Sequence, residues 1–339
     1  MASMRVEYRF SDDTSFVAEV RSGETLLEAA EREAIPVRSQ CKSGSCSTCI
    51  ARVVEGAVEQ LSGIAAALLP NEVEAGCRLS CISIPNKPSV IAFDYPSTAP
   101  EPLSWRFNML VDAIEPVAAD VVKLKARAPK KLDFAFEPGQ YLKMLVPGTE
   151  EWRFFSMSTE PEKLNRLEFL IRLLPDGVMS NYLRDRAKPG DMIEVDGPKG
   201  DFYFRAPAKK IVMIGGGTGV APLLSMIRHL VISSARRPEV LLSAGFNSPE
   251  QSLFDEVMDV ARWLPELETR FSLLSGSLPS GNSLSGNPVE AIDATDVEGD
   301  NVVAYLCGPP PMVIAAREHL TNLGLSRDAI FFENFTPSE

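Results

Sequence analysis

Three cysteines lie close together near the start of the chain, in the segment CKSGSCSTC. Cys41, Cys46 and Cys49 have the spacing C-x4-C-x2-C, and thiolates at this spacing can hold an iron–sulfur cluster. Such a cluster needs a fourth thiolate, and two candidates follow, Cys77 and Cys81. The sequence therefore predicts a metal centre with four cysteine ligands.

A structural zinc site is the main alternative, because zinc can also be held by four cysteines. Zinc sites usually contain two C-x2-C pairs, whereas this chain has three clustered cysteines and one distant one, which favours the iron–sulfur cluster. A Rieske centre would need two histidine ligands. The two histidines, His229 and His319, lie far from the cysteines in helix-like segments, so a Rieske centre is not expected.

The composition limits the other classes of function. Six cysteines in 339 residues are too few for a secreted protein stapled by disulfides. The formal net charge of −12 argues against a nucleic-acid partner, because such partners bind to basic surfaces. We find neither a secretory leader nor an apolar run of about 18 residues. We therefore expect a cytoplasmic protein with no membrane or nucleic-acid partner, and we take the monomer as its expected state.

The elements that would position the cysteines can be traced in the first hundred residues. Apolar and polar residues alternate from Met4 to Phe10, as in a half-buried strand, and SFVAEV follows as a return strand. An amphipathic helix is expected after Ser22, with its end before Pro36. The order is thus strand, strand, helix, cysteine loop.

This order, the cysteine spacing and the later segment RLSC resemble the plant-type [2Fe–2S] ferredoxins, which have the β-grasp fold. The resemblance implies that the cluster ligands are Cys41, Cys46, Cys49 and Cys81. It also implies that Cys77 is a buried thiol that does not bind the cluster.

The remainder of the chain has two further patterns, which begin after the proline-rich segment YPSTAPEPLSW. Short strand-like runs such as FNMLVDAIEP, VVKLKARA and RLEFLIRLL predict an antiparallel barrel. After DGPKGDFYF, strands and helices alternate, which predicts a parallel sheet. We therefore predict a multidomain α+β and α/β protein. It has a β-grasp domain at 1–95, a linker at 96–104, a β-barrel domain at 105–206 and a parallel-sheet α/β domain at 207–339.

Three segments of the barrel, PGQYLKML, RFFS and PDGVMSNYL, resemble the flavin site of the ferredoxin–NADP reductase superfamily. The resemblance implies that Arg153 pairs with the flavin pyrophosphate, that Phe155 stacks on the isoalloxazine and that Ser156 lies near flavin N5. FAD is expected rather than FMN, because relatives with an N-terminal ferredoxin generally use FAD. Further flavin contacts are expected from Tyr141, Gly177, Val178, Met179 and Ser180.

The segment GGGTGVAPLLSMIRHL follows a buried strand and joins a glycine turn to a helix. It does not fit G-x-G-x-x-G, but it resembles the G-x-G-T-G-x-x-P loop of the same superfamily. Backbone amides of that loop would hold the pyrophosphate of a nicotinamide dinucleotide. A second segment, LCGPPPM, ends another strand at the carboxyl edge, where ligands bind parallel sheets. The expected nucleotide contacts are Gly215, Gly217, Thr218, Gly219, Pro222, Cys307, Gly308 and Pro309.

The resemblance also implies which residues lie at the reacting rings. It places Cys307 beside the nicotinamide and Glu333-Asn334-Phe335 near the flavin, where Phe335 would shield the ring until nicotinamide enters. The expected catalytic residues are Ser156, Cys307, Glu333 and Phe335. NADH is expected rather than NADPH, because the stretch after the second strand, SAGFNSPEQSLFDE, contains no base for a 2′-phosphate. A base from elsewhere, such as Arg236 or Arg237, is the alternative.

The order of ferredoxin, flavin barrel and nucleotide domain resembles the reductase components of two-component aromatic-ring-hydroxylating dioxygenases of the benzoate, toluate and anthranilate type. It implies that electrons pass from NADH to FAD, then to the [2Fe–2S] cluster and then to a separate terminal oxygenase. One alternative is the reductase of a diiron monooxygenase that acts on methane, alkenes or phenols. Another is a binding module in which the glycine loop binds a regulatory nucleotide.

The charges near the cysteine loop differ in sign from those of the whole chain. Arg38, Lys42, Arg52 and Arg78 lie near the cysteines, and no acidic residue occurs between Glu33 and Glu55. A positive rim of this kind could steer an acidic partner. It could equally offset the negative charge of the cluster itself.

Overall fold

The computed structural model of the chain describes residues 3–39, 42, 44, 48–61, 68–98, 105–130, 134–161, 165–205, 208–233, 237–278, 281 and 283–335. The chain divides into two units, Met1–Glu101 and Pro102–Glu339. The predicted linker at 96–104 lies mostly outside the described residues, and the domain boundaries stay a prediction. Among the described helices, none combines the length and the apolar character that crossing a bilayer requires.

The first unit contains a five-stranded mixed sheet with the strand order β2-β1-β7-β3-β5 and a separate two-stranded sheet of β4 and β6. Strand β1 pairs antiparallel with β2 and parallel with β7. This is the predicted β-grasp arrangement. The elements are β1 (Ser3–Arg9), β2 (Ser15–Arg21), α1 (Leu26–Arg32), β3 (Ile50–Glu55), β4 (Val58–Gln60), α2 (Pro70–Glu74), β5 (Cys77–Leu79), β6 (Ser83–Pro85) and β7 (Ser89–Ala92).

The core of this unit lies between the sheet and α1. The inward residues of β1 include Val6 and Tyr8, which are fully buried, as the alternating pattern predicts. The hydroxyl of Tyr8 donates a hydrogen bond of 2.8 Å to the carbonyl of Leu26 and so ties α1 to the sheet. Helix α1 begins at a capping box in which Thr25 and Glu28 satisfy each other's backbone amides.

The second unit begins with a six-stranded antiparallel barrel of strand order β11-β10-β13-β8-β9-β12. A bridge between Met157 and Phe169 joins the segment after β11 to β12 and closes the barrel. Helix α3 packs Met179, Tyr182 and Leu183 into the barrel core. The elements are β8 (Trp105–Ala118), β9 (Val121–Arg127), β10 (Tyr141–Leu145), β11 (Trp152–Ser156), β12 (Arg166–Arg172), α3 (Val178–Asp185) and β13 (Met192–Lys199).

The rest of the second unit is a parallel sheet of strand order β17-β16-β15-β14-β18-β19. All its strand pairs are parallel, which confirms the predicted α/β domain. The elements are β14 (Lys210–Gly216), α4 (Val220–Ile232), β15 (Glu239–Phe246), α5 (Phe254–Ala261), β16 (Leu267–Leu273), β17 (Leu284–Ser285), α6 (Ala294–Val297), β18 (Val302–Gly308), α7 (Pro310–Asn322) and β19 (Ile330–Asn334).

The barrel and the parallel sheet share part of one hydrophobic core. Val121 and Leu170 of the barrel belong to the same buried cluster as Ile211 and Met213 of β14 and Leu223 of α4. Burial of apolar side chains stabilises by about 25 cal/mol per Å². The two halves of this unit are therefore held together by packing as well as by the polar contacts described below.

Candidate functional site

Two of the four predicted cluster ligands lie within the described residues, and the backbone brings them together. Cys49 directly precedes β3 and is 2% exposed, and Cys81 lies in the 3-10 turn Ser80–Ile82 and is 7% exposed. The amide of Ser80 donates a 3.0 Å hydrogen bond to the carbonyl of Cys49. Cys41 and Cys46 lie outside the described residues, so their role as ligands stays a prediction.

Cys77 lies elsewhere on the same pair of strands. It pairs with Arg52 in the β3–β5 ladder, and Arg52 lies three residues after Cys49 in the sequence. Because a strand rises by about 3.3 Å per residue, this position lies about 10 Å from the Cys49 end of the ladder. The Cys77 thiol is partly buried, whereas a buried thiol is predicted; this burial raises its pKa, although Arg52 opposes the shift. The position of Cys77 along the ladder therefore favours Cys81 as the fourth ligand.

The hydroxyls beside the two cysteines fit a sulfur-containing group. Thr48 Oγ1 and Ser80 Oγ are buried and have no hydrogen-bond partner among the described residues. Each belongs to the residue directly before a predicted ligand, Cys49 or Cys81. Buried hydroxyls are normally hydrogen-bonded, and cluster sulfurs accept such bonds. In the loop itself, Gly44 has φ of +80°, a conformation that suits glycine. These residues fit a [2Fe–2S] cluster.

Strand β11 presents the predicted flavin contacts on alternating faces. Arg153 and Phe155 pair with Met144 and Leu142 of β10, whose side chains lie in the barrel core, and Phe155 packs partly against that core. The guanidinium of Arg153 donates a 3.0 Å hydrogen bond to the carbonyl of Trp152. It also forms an ion pair with Glu151, the residue directly before β11. Ser156 lies on the other face, as predicted. Arg153 and Phe155 are therefore placed together.

The start of helix α3 contributes the second part of the predicted flavin site. Gly177 is the residue before the helix, and the hydroxyl of Ser180 accepts a 2.9 Å hydrogen bond from the amide of Leu174. A Cβ on Gly177 would lie 2.8 Å from Ser180 Oγ. The glycine is thus required by the close approach of this loop to Ser180. Val178 begins the helix and Met179 lies in the barrel core, so the N-terminal amides of α3 remain as candidate phosphate ligands.

The glycine turn between β14 and α4 lies at a topological switch point, because β15 follows on one side of β14 and β18 lies on the other. A Cβ on Gly219 would overlap the backbone of Cys307, and one on Gly216 would lie 2.6 Å from the sulfur of Met312. Gly217 has φ of +55°. The glycines therefore let this turn contact the end of β18 backbone to backbone.

The other predicted nucleotide contacts surround the same turn. Thr218 lies in the 3-10 turn Gly217–Gly219, and Pro222 is buried in the first turn of α4. Gly308 ends β18 with φ of +153°, and Pro309 caps α7. The structure thus brings the two glycine-containing segments of the sequence together at the carboxyl edge of the sheet, the edge at which such sheets bind dinucleotides.

The four predicted catalytic residues meet where this edge adjoins the barrel. Ser156 Oγ lies 3.3 Å from Glu333 Oε2, and Glu333 pairs with Cys307 across the β18–β19 ladder. The amide of Phe335 donates a 2.7 Å hydrogen bond to the carbonyl of Gly308. The contact between Ser156 and Glu333 alone joins residues that lie 177 positions apart in the sequence.

The Cys307 thiol at this meeting point is neutral. Cys307 is fully buried, and burial raises the pKa of its thiol well above the usual value, with a further contribution from the negative charge of Glu333. A neutral thiol is a poor nucleophile. Cys307 therefore offers packing and a weak hydrogen-bond donor at the site instead of covalent chemistry.

Helix α4 also holds the barrel strand, through residues that the sequence analysis did not identify. The hydroxyl of Ser225 donates to the carbonyl of Thr159, and the guanidinium of Arg228 donates to the carbonyl of Ser158. These carbonyls follow Ser156 along the chain. The signal in the sequence is Ser225 and Arg228, two of the three polar residues in the largely apolar segment LLSMIRHL.

Comparisons with known proteins agree with this arrangement. Three family models match in order: the 2Fe-2S iron-sulfur cluster binding domain at residues 10–86, the oxidoreductase FAD-binding domain at 108–204 and the oxidoreductase NAD-binding domain at 213–318. These matches establish FAD, a [2Fe–2S] cluster and a nicotinamide nucleotide as cofactors.

Individual relatives match over nearly the whole chain. The reductase component of propane 2-monooxygenase from Rhodococcus jostii (strain RHA1) is 34% identical, with 94% of this chain and 88% of that protein covered. The anthranilate 1,2-dioxygenase electron transfer component of Acinetobacter baylyi is 31% identical, with 98% and 97% covered. The crystal structure of the Amycolatopsis cytochrome P450 reductase GcoB has a TM-score of 0.69 and 27% identity, with 98% and 100% covered.

The predicted family is thus confirmed: the chain belongs to the oxidoreductases that join a 2Fe-2S ferredoxin domain, an FAD-binding domain and an NAD-binding domain, the family of these oxygenase reductase and electron transfer components.

Proposed function

We propose that the protein is an NADH-dependent reductase that delivers electrons through FAD and its [2Fe–2S] cluster to a terminal aromatic-ring-hydroxylating oxygenase. The observation that carries the proposal is the approach of Ser156 to Glu333 at 3.3 Å, beside Cys307 and the glycine turn. A flavin site on the barrel and a nucleotide site on the sheet share an edge there. Hydride transfer needs two rings in contact, and this edge is where they can meet.

The cofactors supply the redox chemistry: when bound, FAD converts the two-electron hydride of NADH into single electrons, which the cluster can carry one at a time. The residues of the chain bind and orient. Arg153 and the start of α3 would hold the flavin pyrophosphate, and Phe155 would lie against the ring. The glycine turn would hold the nucleotide pyrophosphate. Ser156 and Glu333 would fix the reacting edge of the flavin, and Phe335 would cover the flavin ring until nicotinamide enters.

A visible spectrum of the purified protein tests this proposal. We expect flavin and iron–sulfur absorption bands that bleach when NADH is added without oxygen, and NADH-dependent reduction of ferricyanide. A binding module that only holds a regulatory nucleotide would show neither colour nor turnover. Colourless protein after reconstitution with iron, sulfide and FAD would overturn the proposal.

The oxygenase partner has two candidates. Similarity to an anthranilate 1,2-dioxygenase component supports a ring-hydroxylating dioxygenase, and similarity to a propane 2-monooxygenase reductase supports a hydrocarbon monooxygenase. The domain order is common to both classes, and we favour the dioxygenase on the segment GVMSNYLRDRAKPGD, which resembles the reductases of the dioxygenase type. Coupled assays with one purified oxygenase of each class would compare the two, with product formed per NADH as the measurement. Tight coupling to the monooxygenase alone would replace the dioxygenase in the proposal.

The surface around the cluster loop bears on how this partner docks. Lys42 Nζ lies 2.6 Å from Glu31 Oε1 in an exposed ion pair, and Arg38 lies over the ring of Tyr95 at 4.5 Å. Arg78 donates to three backbone carbonyls and so has a structural role. Of the predicted positive rim, Lys42, Arg38 and Arg52 are exposed, and Glu31 of α1 adds an acidic residue to that surface.

We expect Lys42→Glu to slow electron transfer to the oxygenase by about ten-fold at low salt, because a reversed charge beside Glu31 would repel an acidic partner. The dependence of the rate on ionic strength should flatten in the variant. Ferricyanide reduction should not change, and Arg262→Glu, which reverses an exposed paired cation on the other unit, is the matched control. A shifted cluster potential with an unchanged salt dependence would show that Lys42 tunes the cluster and does not dock the partner.

The proposal also includes a cytoplasmic, monomeric protein without nucleic-acid or membrane partners. Cluster assembly needs reduced thiols, which a cytoplasmic compartment keeps. The net charge of −12 supports the absence of a polyanionic partner.

A further inference from the structure

The turn between barrel strands β8 and β9 contacts the nucleotide sheet. The turn consists of Ala119 and Asp120. The amide of Ala119 donates a 2.8 Å hydrogen bond to the carbonyl of Glu250. The side-chain amide of Gln251 donates a hydrogen bond of 2.8 Å to Asp120 Oδ2. Two consecutive residues of one loop are thus attached to two consecutive residues of the barrel.

This loop lies at the carboxyl end of β15, at the edge of the sheet where dinucleotides bind. It carries an acidic side chain, that of Glu250, whose Oε2 accepts a 2.7 Å hydrogen bond from the hydroxyl of Ser248. Carboxylates at this position of such sheets accept hydrogen bonds from the adenosine ribose. The barrel turn therefore holds the loop that would contact the adenosine half of NADH, at a distance from the reacting ring.

The turn itself is fixed to the barrel. Arg172 Nε pairs with Asp120 Oδ2 at 2.9 Å, and the amide of Leu173 donates to the carbonyl of Asp120 at 2.7 Å. Farther along β9, Lys123 pairs at 2.7 Å with Glu256 of α5, and both side chains are almost fully buried. The Asp120 carboxylate thus accepts hydrogen bonds from both sides: from Arg172 of the barrel and from Gln251 of the nucleotide loop.

We propose that Asp120 and Gln251 are positioning residues for the adenosine half of NADH, so that the flavin barrel sets the affinity of the nucleotide loop. This rests on the proposed function, because it assumes that NADH is the nucleotide. The turn positions the loop, whereas the nicotinamide end of NADH, at Ser156 and Glu333, is positioned by other contacts. The barrel then acts on the two ends of the dinucleotide site through separate parts, the β8–β9 turn and Ser156.

The test compares NADH with reduced nicotinamide mononucleotide, which has the same reacting ring and lacks the adenosine. We expect Gln251→Ala to raise KM for NADH about five-fold, the change that the loss of one net hydrogen bond gives. The kcat with NADH should stay unchanged. The KM and kcat for the mononucleotide should also stay unchanged, since it makes no contact with the loop.

A conservative variant separates positioning from folding. Asp120→Asn keeps an oxygen that can accept from Gln251 and should keep KM for NADH within about two-fold of wild type, whereas Asp120→Ala should raise it as Gln251→Ala does. Equal losses with both nucleotides would show a general disturbance of the two domains and overturn the proposal, as would unchanged KM values in both alanine variants. Wild-type protein that oxidises neither nucleotide would instead refute the proposed function.

Discussion

Replacing Cys81 by serine is expected to eliminate the [2Fe–2S] absorption, whereas Cys77→Ser should retain it. Two tetrahedral irons bridged by two sulfides take four thiolates. Cys81 is held beside Cys49 by the Ser80 amide, whereas Cys77 lies farther along the ladder opposite Arg52. Loss of the cluster should reduce electron transfer to the oxygenase at least about 100-fold, because the flavin then lacks the one-electron acceptor that passes electrons to the oxygenase.

The measurement is the visible and electron paramagnetic resonance spectrum of each variant, with iron and acid-labile sulfide determined chemically. Cys41→Ser, Cys46→Ser and Cys49→Ser should each behave as Cys81→Ser does. Ferricyanide reduction by NADH should persist in all of them, which shows that the flavin and nucleotide sites are folded. A cluster that survives in Cys81→Ser and disappears in Cys77→Ser would reverse the ligand assignment.

The parts of this site that could be predicted from the sequence are those that local spacing determines. The three clustered cysteines and the two glycine-containing segments each have the residues for one task within a few positions of each other. Side-chain alternation likewise predicts the first strands of the chain, because it follows directly from strand geometry, and the succession of strands and helices predicts the parallel sheet.

The contacts that could not be predicted join segments far apart in the chain. The sequence predicts that Lys42 belongs to a rim without acids, but Glu31 of α1 forms an ion pair with it in the folded unit. The pairing of Gln251 with Asp120 spans 131 positions and depends on how the barrel packs on the sheet. No local pattern encodes these contacts. Gly177 is a different case: its position was identified, but the structural reason for glycine there is the contact with Ser180.

The choice of nucleotide depends on the charges at the carboxyl end of β15. The loop there presents Glu250, and the hydrogen bond from Ser248 lowers the pKa of that carboxyl, so it is negatively charged at neutral pH. The alternative base, Arg237, lies at the other end of the strand, where it donates to the carbonyl of Val231 and lies 3.7 Å from Glu266. Eight residues of strand separate the two ends by roughly 25 Å. Arg236 lies outside the described residues.

We therefore expect kcat/KM for NADH to exceed that for NADPH by at least about 100-fold, because a 2′-phosphate beside the Glu250 carboxylate meets like charge and the loop SAGFNSPEQSLFDE itself contains no base. Glu250→Gln should reduce this preference about ten-fold, mainly by lowering KM for NADPH, since the amide removes the repulsion and keeps a hydrogen-bond acceptor.

Asp259→Asn, which neutralises an exposed acid on α5, is the control and should leave the ratio of the two kcat/KM values unchanged. The preference of Glu250→Gln should also become less sensitive to salt, because screening weakens the repulsion only where the carboxylate is present. Wild-type protein that prefers NADPH would place the 2′-phosphate away from Glu250 and require a different basic residue to bind it.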